Sequence, residues 1–425
     1  MIEKYYGGMI EQVFGKIGSH SKNMTLAKYS NDFSVQNVQW PEKIREQKDV
    51  FIWEHEFVPG NMSGPYEPFL DIIGTMFHEF YDKTLEDFLE ENDIYYLQRS
   101  LIRSYIENGQ CEREEQLIFG EIKYEQERMQ EGILRMLISL SKKKPCLIIL
   151  NRIQFAAGTT LALLNCLFES PDAKNIGVVL GENDLTHIPE HVLPVWETLV
   201  EKLKDENQVL HIGTTQCIQK EQPLDGVIVR EEVLPKITNL VQMMDFSQAL
   251  FYLNEVERRI KFESFKLEDD LHFLLWEQYC YAAFFSMDLS KTLEICEEIA
   301  SMQTSFSSQE QMFFYYYLTG NVFMYQGRLF DAVEYAKKSQ QYAKKIKDDK
   351  RLFLAELLET QARMSGWYNI FFCAQNIDIS DELIEKLIQY NYKNHLAYVY
   401  VYAYDNKPEI VAKAYQSEAQ LIYFS

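Results

Sequence analysis

The fold of this chain is decided by residues 142–164, KKKPCLIILNRIQFAAGTTLALL. Three lysines and a proline lead into five apolar residues, Cys146 to Leu150, and an amphipathic run begins at Thr159. A short apolar run between turn signals is typical of a buried parallel strand, and the run after it predicts a helix. Ligands of parallel α/β domains bind beyond the carboxyl ends of the strands, where nucleotide-hydrolysing domains place acids. Asn151 and Arg152 follow this strand instead.

Outward from that stretch, short apolar runs alternate with helical patterns, which predicts βαβ units around a parallel sheet. The further predicted strands are Val50–Trp53, Ile176–Leu180 and Gln208–Ile212. The predicted helices cover residues 1–22, 69–80, 112–141, 159–168 and 193–203. Residues 23–33 fit neither pattern clearly. We expect this α/β domain to occupy residues 1–234.

From residue 235 onward the pattern changes to pairs of amphipathic helices that recur roughly every 35–40 residues, as in helical-hairpin repeats. The clearest pair is 313–346, where Gly320 and small alanines allow two helices to approach and aromatic side chains fill the space between hairpins. We therefore predict an all-α helical-hairpin solenoid over residues 235–425. The other predicted hairpins are 237–261, 271–302, 350–390 and 394–425.

Composition restricts the partners of the chain. The formal charge of −22 repels phosphate backbones, so we expect no direct nucleic-acid partner. Four of the seven scattered cysteines lie in apolar contexts that predict core residues: Cys146, Cys166, Cys280 and Cys296. The N-terminus lacks an apolar signal region, and no run of about 18 apolar residues occurs. We expect a cytoplasmic protein without a membrane segment and leave the oligomeric state open.

Residues 150–164, LNRIQFAAGTTLALL, resemble the segment LDDLQWADPASLxLL of STAND signalling ATPases, the class of MalT-like and large LuxR-type regulators. The apolar skeleton, Gln154 and the start of the helix match. Asn151 and Arg152 stand where that family has its paired Walker B acids, and Ala157 stands where it has a third. The resemblance implies a degenerate P-loop-NTPase-like α/β domain.

The resemblance extends upstream. Residues 50–53 and the sequence PYEPF at 65–69 are similar to the strand and helix entry that follow the family's phosphate loop. That loop should therefore fall near Leu26–Val38. A phosphate loop needs glycines, a lysine near its end and a Ser or Thr for magnesium. This stretch has no glycine, Lys28 is its only cation, and Gln36-Asn37 replaces the Lys-Ser/Thr pair. We expect neither ATP hydrolysis nor a cofactor.

Other candidate sites are weaker. His187 and His191 are four residues apart, but Pro189 argues against a single helix face for a metal pair. Acidic runs such as 86–91 fit solvated helix faces better than catalytic carboxylates. The aromatic runs at 313–317 and 398–404 fit packing between hairpins better than base stacking.

The region from residue 235 resembles tetratricopeptide repeats, most clearly around Gly320. Such arrays present a concave surface to protein or peptide partners. The predicted partner contacts are Phe314, Tyr317, Asn321 and Met324, with packing against a neighbouring hairpin as the alternative. The sequence thus favours a non-catalytic signalling or scaffold protein with a pseudo-ATPase domain and a partner-binding repeat array, which could be the sensory part of a larger regulator. The alternative is a nucleotide-binding switch of the STAND type that controls a transcriptional or cyclic-dinucleotide output.

Overall fold

The computed structural model describes residues 2–19, 22–29, 49–57, 63–113, 117, 122–183, 188–212, 225–262, 267–302, 308–367, 381–390 and 392. The chain divides into two units. The sheet unit comprises Met1–Glu112 and Lys123–Gln248, and the helical unit comprises Arg113–Ile122 and Ala249–Ser425. Each unit is defined by contacts among its residues, and such a unit need not coincide with a domain. The predicted domain boundary between residues 234 and 235 therefore stays a prediction.

A parallel sheet of five strands forms the centre of the sheet unit, in the order β2-β3-β4-β1-β5. The strands are β1 (Met24–Tyr29), β2 (Phe51–Glu56), β3 (Cys146–Asn151), β4 (Ile176–Asn183) and β5 (Val209–Ile212). The predicted parallel α/β architecture is confirmed at this level. The sequence left β1 open because its six residues, MTLAKY, mix polar and apolar side chains without a continuous apolar run.

Strand β3 has all six residues buried because both faces of the sheet are covered. Its alternate residues Leu147 and Ile149 belong to one core, which contains Met9, Ile10 and Val13 of the first helix. Ile148 and Leu150 point into the larger core on the opposite face. A strand covered on both sides must be apolar throughout, which explains the run that made it recognisable in the sequence.

Helices cover the sheet and lead into and out of its strands. They are α1 (Ile2–Lys16), α2 (Phe69–Phe80), α3 (Leu85–Glu91), α4 (Tyr96–Asn108), α5 (Ile122–Lys143), α6 (Gly158–Glu169), α7 (Leu193–Asp205) and α8 (Leu234–Gln242). Helix α1 packs closely on β4 at Gly177, where an added Cβ would lie 2.8 Å from Val13 Cγ1. The Asn23 side chain donates a hydrogen bond to the Val13 carbonyl over 2.8 Å, which fixes the same helix to the start of β1.

Consecutive helices of the helical unit pack against one another as a stack of hairpins. They are α9 (Phe246–Phe262), which begins within the last residues of the sheet unit, α10 (Asp269–Phe285), α11 (Leu289–Ser301), α12 (Ser308–Tyr325), α13 (Leu329–Ile346), α14 (Asp349–Trp367) and α15 (Asp381–Gln389). The predicted helical hairpins at 271–302, 313–346 and 350–390 are confirmed as helix pairs. The predicted hairpin at 394–425 lies outside the described residues.

Gly320 of α12 allows a close approach of neighbouring helices in this stack. A Cβ at this position would lie 3.0 Å from Leu358 Cδ2 of α14 and 3.2 Å from Tyr335 Cβ of α13. Ala332 and Ala336 of α13 are fully buried beside it. The small residues that the sequence singled out therefore lie where three helices meet.

Three of the four cysteines predicted as core residues are fully buried: Cys146, Cys280 and Cys296. Cys166 is partly buried, and its thiol accepts a hydrogen bond from the Gln130 amide over 2.8 Å. Every helix among the described residues is too short or too polar to span a lipid bilayer.

Candidate functional site

The carboxyl edge of the sheet is the place where a parallel α/β domain binds a ligand. Strand register brings the ends of four strands together there. Asn151 of β3 lies beside Glu56 of β2 and Gly181 of β4, and Lys28 of β1 lies beside Glu182 of β4. This edge therefore carries both of the residues that replace the paired acids of the resembled family and the single cation of the expected phosphate loop.

Asn151 and Arg152 are built into the fold at the end of β3. The Asn151 side chain is fully buried, and the backbone carbonyl of Asn151 accepts a hydrogen bond from the Phe57 backbone amide over 3.0 Å. Arg152 adopts a left-handed conformation, with φ of 55°, where the strand turns into a short 3-10 helix. Its Nε lies 3.2 Å from Oε1 of Glu56, so the cation at this position is neutralised by an acid of the neighbouring strand.

Lys28 is likewise engaged with a neighbouring strand. It lies inside β1, so the described part of the expected phosphate loop, Leu26–Tyr29, is strand. Residues 30–38 lie outside the described residues. The Lys28 ammonium is 2.6 Å from Oε2 of Glu182, and the two side chains are only 16% and 10% exposed. Glu182 follows Gly181 within β4, so the predicted end of that strand at Leu180 is three residues short.

Hydrogen bonds attach the start of α6 to the loop that precedes α2. The Ala157 amide donates to Ser63 Oγ over 3.2 Å, and the Tyr66 amide donates to Thr159 Oγ1 over 3.2 Å. Thr160 Oγ1 donates to the Glu67 carbonyl over 2.9 Å. The two segments that carry the family resemblance, 65–69 and 150–164, are therefore held together directly.

A buried carboxylate, Asp245, lies at the N-terminal ends of two helices. Its Oδ2 accepts a hydrogen bond from the Thr159 amide at the start of α6 over 3.4 Å. Its Oδ1 accepts one from the Gln248 amide at the start of α9 over 3.3 Å. Helix N-termini favour negative charge, whereas burial disfavours it and raises the pKa of Asp245. Asp245 therefore acts as a shared cap.

A second group of titratable side chains lies beside the end of β2. His55 Nε2 is 3.6 Å from Oε1 of Glu67, and the Tyr105 hydroxyl donates to Oδ1 of Asp71 over 3.1 Å. Burial lowers the pKa of His55, which favours the neutral imidazole, and burial raises the pKa of Asp71. The positive charge of Lys236 adds to the lowering of the His55 pKa, and it partly offsets the rise in the Asp71 pKa.

This group was missed in the sequence because its members come from β2, the turn before α2, and helices α2, α4 and α8, and Tyr105 and Lys236 are far from His55 along the chain. The only available signals were the place of His55 near the end of a predicted strand and Glu67 within PYEPF. A neutral imidazole beside carboxylates can take up or release a proton. Among the described residues, no group of three or more His, Cys, Asp or Glu is placed to hold a metal ion.

The two histidines of the weak metal prediction are only partly described. His187 lies outside the described residues. His191 Nε2 is 2.9 Å from Oε1 of Gln248, so this imidazole takes part in the contacts around Asp245.

All four predicted partner contacts lie on α12 of the helical unit. Phe314 and Tyr317 are each 5% exposed. The Phe314 ring meets Phe273 and Tyr281 of α10 edge-on, with centroids 6.2 and 5.8 Å apart, which supports the packing alternative for this residue.

The other two predicted contacts are partly exposed. The Asn321 amide donates to the Tyr317 carbonyl over 2.9 Å, and Met324 packs against the neighbouring apolar clusters. A partner role for any of the four residues stays a prediction.

No known family model and no curated protein matches this sequence significantly. The STAND and tetratricopeptide resemblances therefore rest on the residues quoted above.

Proposed function

We propose that this protein is a non-catalytic regulatory or scaffold protein. In this proposal a degenerate P-loop-like sheet unit serves as structural support, and a helical unit of tetratricopeptide-like hairpins binds a protein or peptide partner. The proposal is supported by the general architecture, which combines a parallel sheet with stacked hairpins. One observation at the sheet edge supports the proposal that the protein is non-catalytic.

That observation is the pairing of charges across the strand ends. Arg152 is bound to Glu56, and Lys28 is bound to Glu182. Magnesium and nucleotide phosphates need carboxylates for the metal and available cations for the phosphates. At the described end of β3 the donor set is an amide and a guanidinium, which does not fit a magnesium–nucleotide complex.

Opening these pairs for a ligand would also be costly. Lys28 and Glu182 are largely desolvated, and removing one partner of such a pair leaves a charge without compensation. An anionic ligand at Lys28 would displace Glu182 into a site that remains poor in solvent. The two ion pairs therefore oppose the rearrangement of side chains that a ligand at the strand ends would require.

Equilibrium binding of labelled ATP and ADP, with and without magnesium, tests the proposal. We expect no saturable binding by the intact protein. The matched variants are Lys28→Ala, which removes the buried cation, and Lys204→Ala, which removes an exposed one. Micromolar, magnesium-dependent binding that Lys28→Ala abolishes and Lys204→Ala preserves would contradict the proposal and favour the nucleotide-switch alternative.

A further inference from the structure

The outer face of α13 carries a concentration of positive charge that is unusual for this acidic chain. Between residues 337 and 350 there are six lysines and two aspartates, whereas the whole protein has a formal charge of −22. Helical spacing puts Ala332, Ala336, Ser339 and Ala343 on the buried face of α13. The opposite side exposes Lys337, Gln341, Lys344 and Lys345.

Tyrosines flank these lysines and hold some of them in place. Lys338 Nζ lies 5.0 Å from the ring centre of Tyr335 and 5.4 Å from that of Tyr316. Lys345 Nζ lies 4.5 Å from the ring centre of Tyr342. Tyr316 in turn stacks on Tyr342, with centroids 5.5 Å apart and an interplanar angle of 17°. Cation–π contacts of this kind orient the ammonium groups without neutralising them.

Most of these lysines form no ion pair with a carboxylate among the described residues. Lys338 pairs with Glu334 over 2.6 Å. Asp331 and Asp348 are engaged by Arg328 and Arg351 respectively. Among the described residues, no carboxylate lies within ion-pair distance of Lys337, Lys344 or Lys345. We call Lys337, Lys338, Lys344 and Lys345, with Tyr316, Tyr335 and Tyr342, the lysine–tyrosine face.

We propose that the lysine–tyrosine face binds a short acidic segment of a protein partner. This inference rests on the proposed function and specifies the chemistry of the partner. Charge complementarity selects an acidic ligand, and tyrosines beside lysines supply apolar contact area for its side chains. The four lysines of the face lie on α13, the second helix of its hairpin, whereas the predicted partner contacts lie on α12, to which Tyr316 also belongs.

The dimensions of the face favour a peptide over a nucleic acid or a second copy of the chain. Lys337 and Lys345 are separated by about 12 Å along the helix axis, which an extended peptide of about four residues spans. Charges beyond about 8 Å are screened at physiological ionic strength, so a short peptide senses mainly this local patch. A long polyanion, or a second chain with a charge of −22, would also meet acidic surface.

The test is fluorescence anisotropy of a labelled peptide of about six Glu and Asp residues, titrated with the full chain. The variant Lys337→Gln/Lys344→Gln/Lys345→Gln removes three charges from the face. The variant Lys142→Gln/Lys143→Gln/Lys204→Gln removes three exposed charges elsewhere. Circular dichroism checks that both variants keep their helical content.

We expect the face variant to weaken binding by about tenfold or more, since each exposed charge contributes up to a few-fold. The control variant should bind like the unmodified protein, and added salt should weaken binding. Absence of peptide binding, or equal loss in both variants, would overturn the inference. So would stronger face-dependent binding of a single-stranded oligonucleotide, or face-dependent self-association in sedimentation. A basic peptide that binds where the acidic one does not would overturn this inference but leave the proposed function standing.

Discussion

Arg152 shows at the scale of one residue how the edge of the sheet is stabilised. It takes a backbone conformation that non-glycine residues rarely adopt and directs its guanidinium to Glu56 on the next strand. A strained backbone is retained where the surrounding contacts favour it, and the ion pair is such a contact. At the end of β3 this chain has a cation, which repels magnesium, and the ion pair of that cation contributes to the stability of the sheet edge.

Two substitutions at Arg152 separate the ion pair from the backbone strain. Arg152→Ala removes the partner of Glu56 and keeps the left-handed strain, so we expect a loss of about 1–2 kcal/mol in the free energy of unfolding. Arg152→Gly removes the same ion pair but relieves the strain, so its loss should be about 1 kcal/mol smaller. Denaturant unfolding of the two variants measures the difference. Equal stability of both variants would contradict the strain argument.

Glu277 predicts a pH dependence of stability in the helical unit. Burial raises its pKa to about 7, against the partial compensation of Arg351. The folded state thus binds this proton more tightly than the unfolded state, whose glutamate pKa is about 4.3. The stabilisation is complete below that value and is lost as the pH rises to about 7.

Glu277→Gln should remove this dependence. Relative to Glu277→Gln, the unmodified protein should lose roughly 3 kcal/mol of stability between about pH 4 and pH 7, because each pH unit between the two pKa values corresponds to about 1.4 kcal/mol. Thermal unfolding across this range measures the loss, and Glu297→Gln on the exposed side of α11 serves as control. A constant difference between the unmodified protein and Glu277→Gln at every pH would contradict the assignment.

At the scale of elements, the helical stack depends on close approach at Gly320. Gly320→Ala places a methyl group 3.0 Å from Leu358 and 3.2 Å from Tyr335. We expect a destabilisation of about 1–3 kcal/mol from overpacking, in spite of the better helix propensity of alanine. Gly8→Ala on the exposed side of α1, where nothing lies within 4 Å, should be neutral or stabilising. Thermal unfolding of the two variants decides the matter, and equal effects would exclude a packing role for Gly320.

Strands β3 and β1 show why burial decides how easily a strand is recognised in the sequence. Strand β3 was recognisable because both of its faces are covered, so every residue from Cys146 to Leu150 is apolar. In strand β1 the half-buried Thr25 interrupts the buried apolar residues Met24, Leu26 and Ala27, and Lys28 follows them. Its place between β4 and β5 is a non-local property that a six-residue pattern does not express.

The candidate site was predictable in position and not in its contacts. The end of β3 was expected at the carboxyl edge because that follows from strand direction alone. The pairing of Lys28 with Glu182 joins residues 154 positions apart, and no local pattern indicates it. No local pattern indicates that His55, Glu67 and Asp71 lie close together either, because their proximity depends on how β2 and α2 meet.

At the scale of the whole molecule, the proposal assigns support to the sheet unit and binding to the helical unit. Ion pairs stabilise the carboxyl edge, where a nucleotide-hydrolysing domain would carry its chemistry. The exposed lysines of α13 offer the helical unit a charge opposite to that of the chain as a whole. We therefore expect the function to depend on the exposed, charged surface of the helical unit.

The most direct test of this account is the thermal unfolding midpoint of the intact protein with and without saturating magnesium–ATP. A ligand that binds the folded state at about 100 times its Kd adds about 2.7 kcal/mol of stability, which raises the midpoint by several degrees. We expect no change in the midpoint. A reproducible, magnesium-dependent rise that Lys28→Ala abolishes would contradict it and identify the carboxyl edge of the sheet as a working nucleotide site.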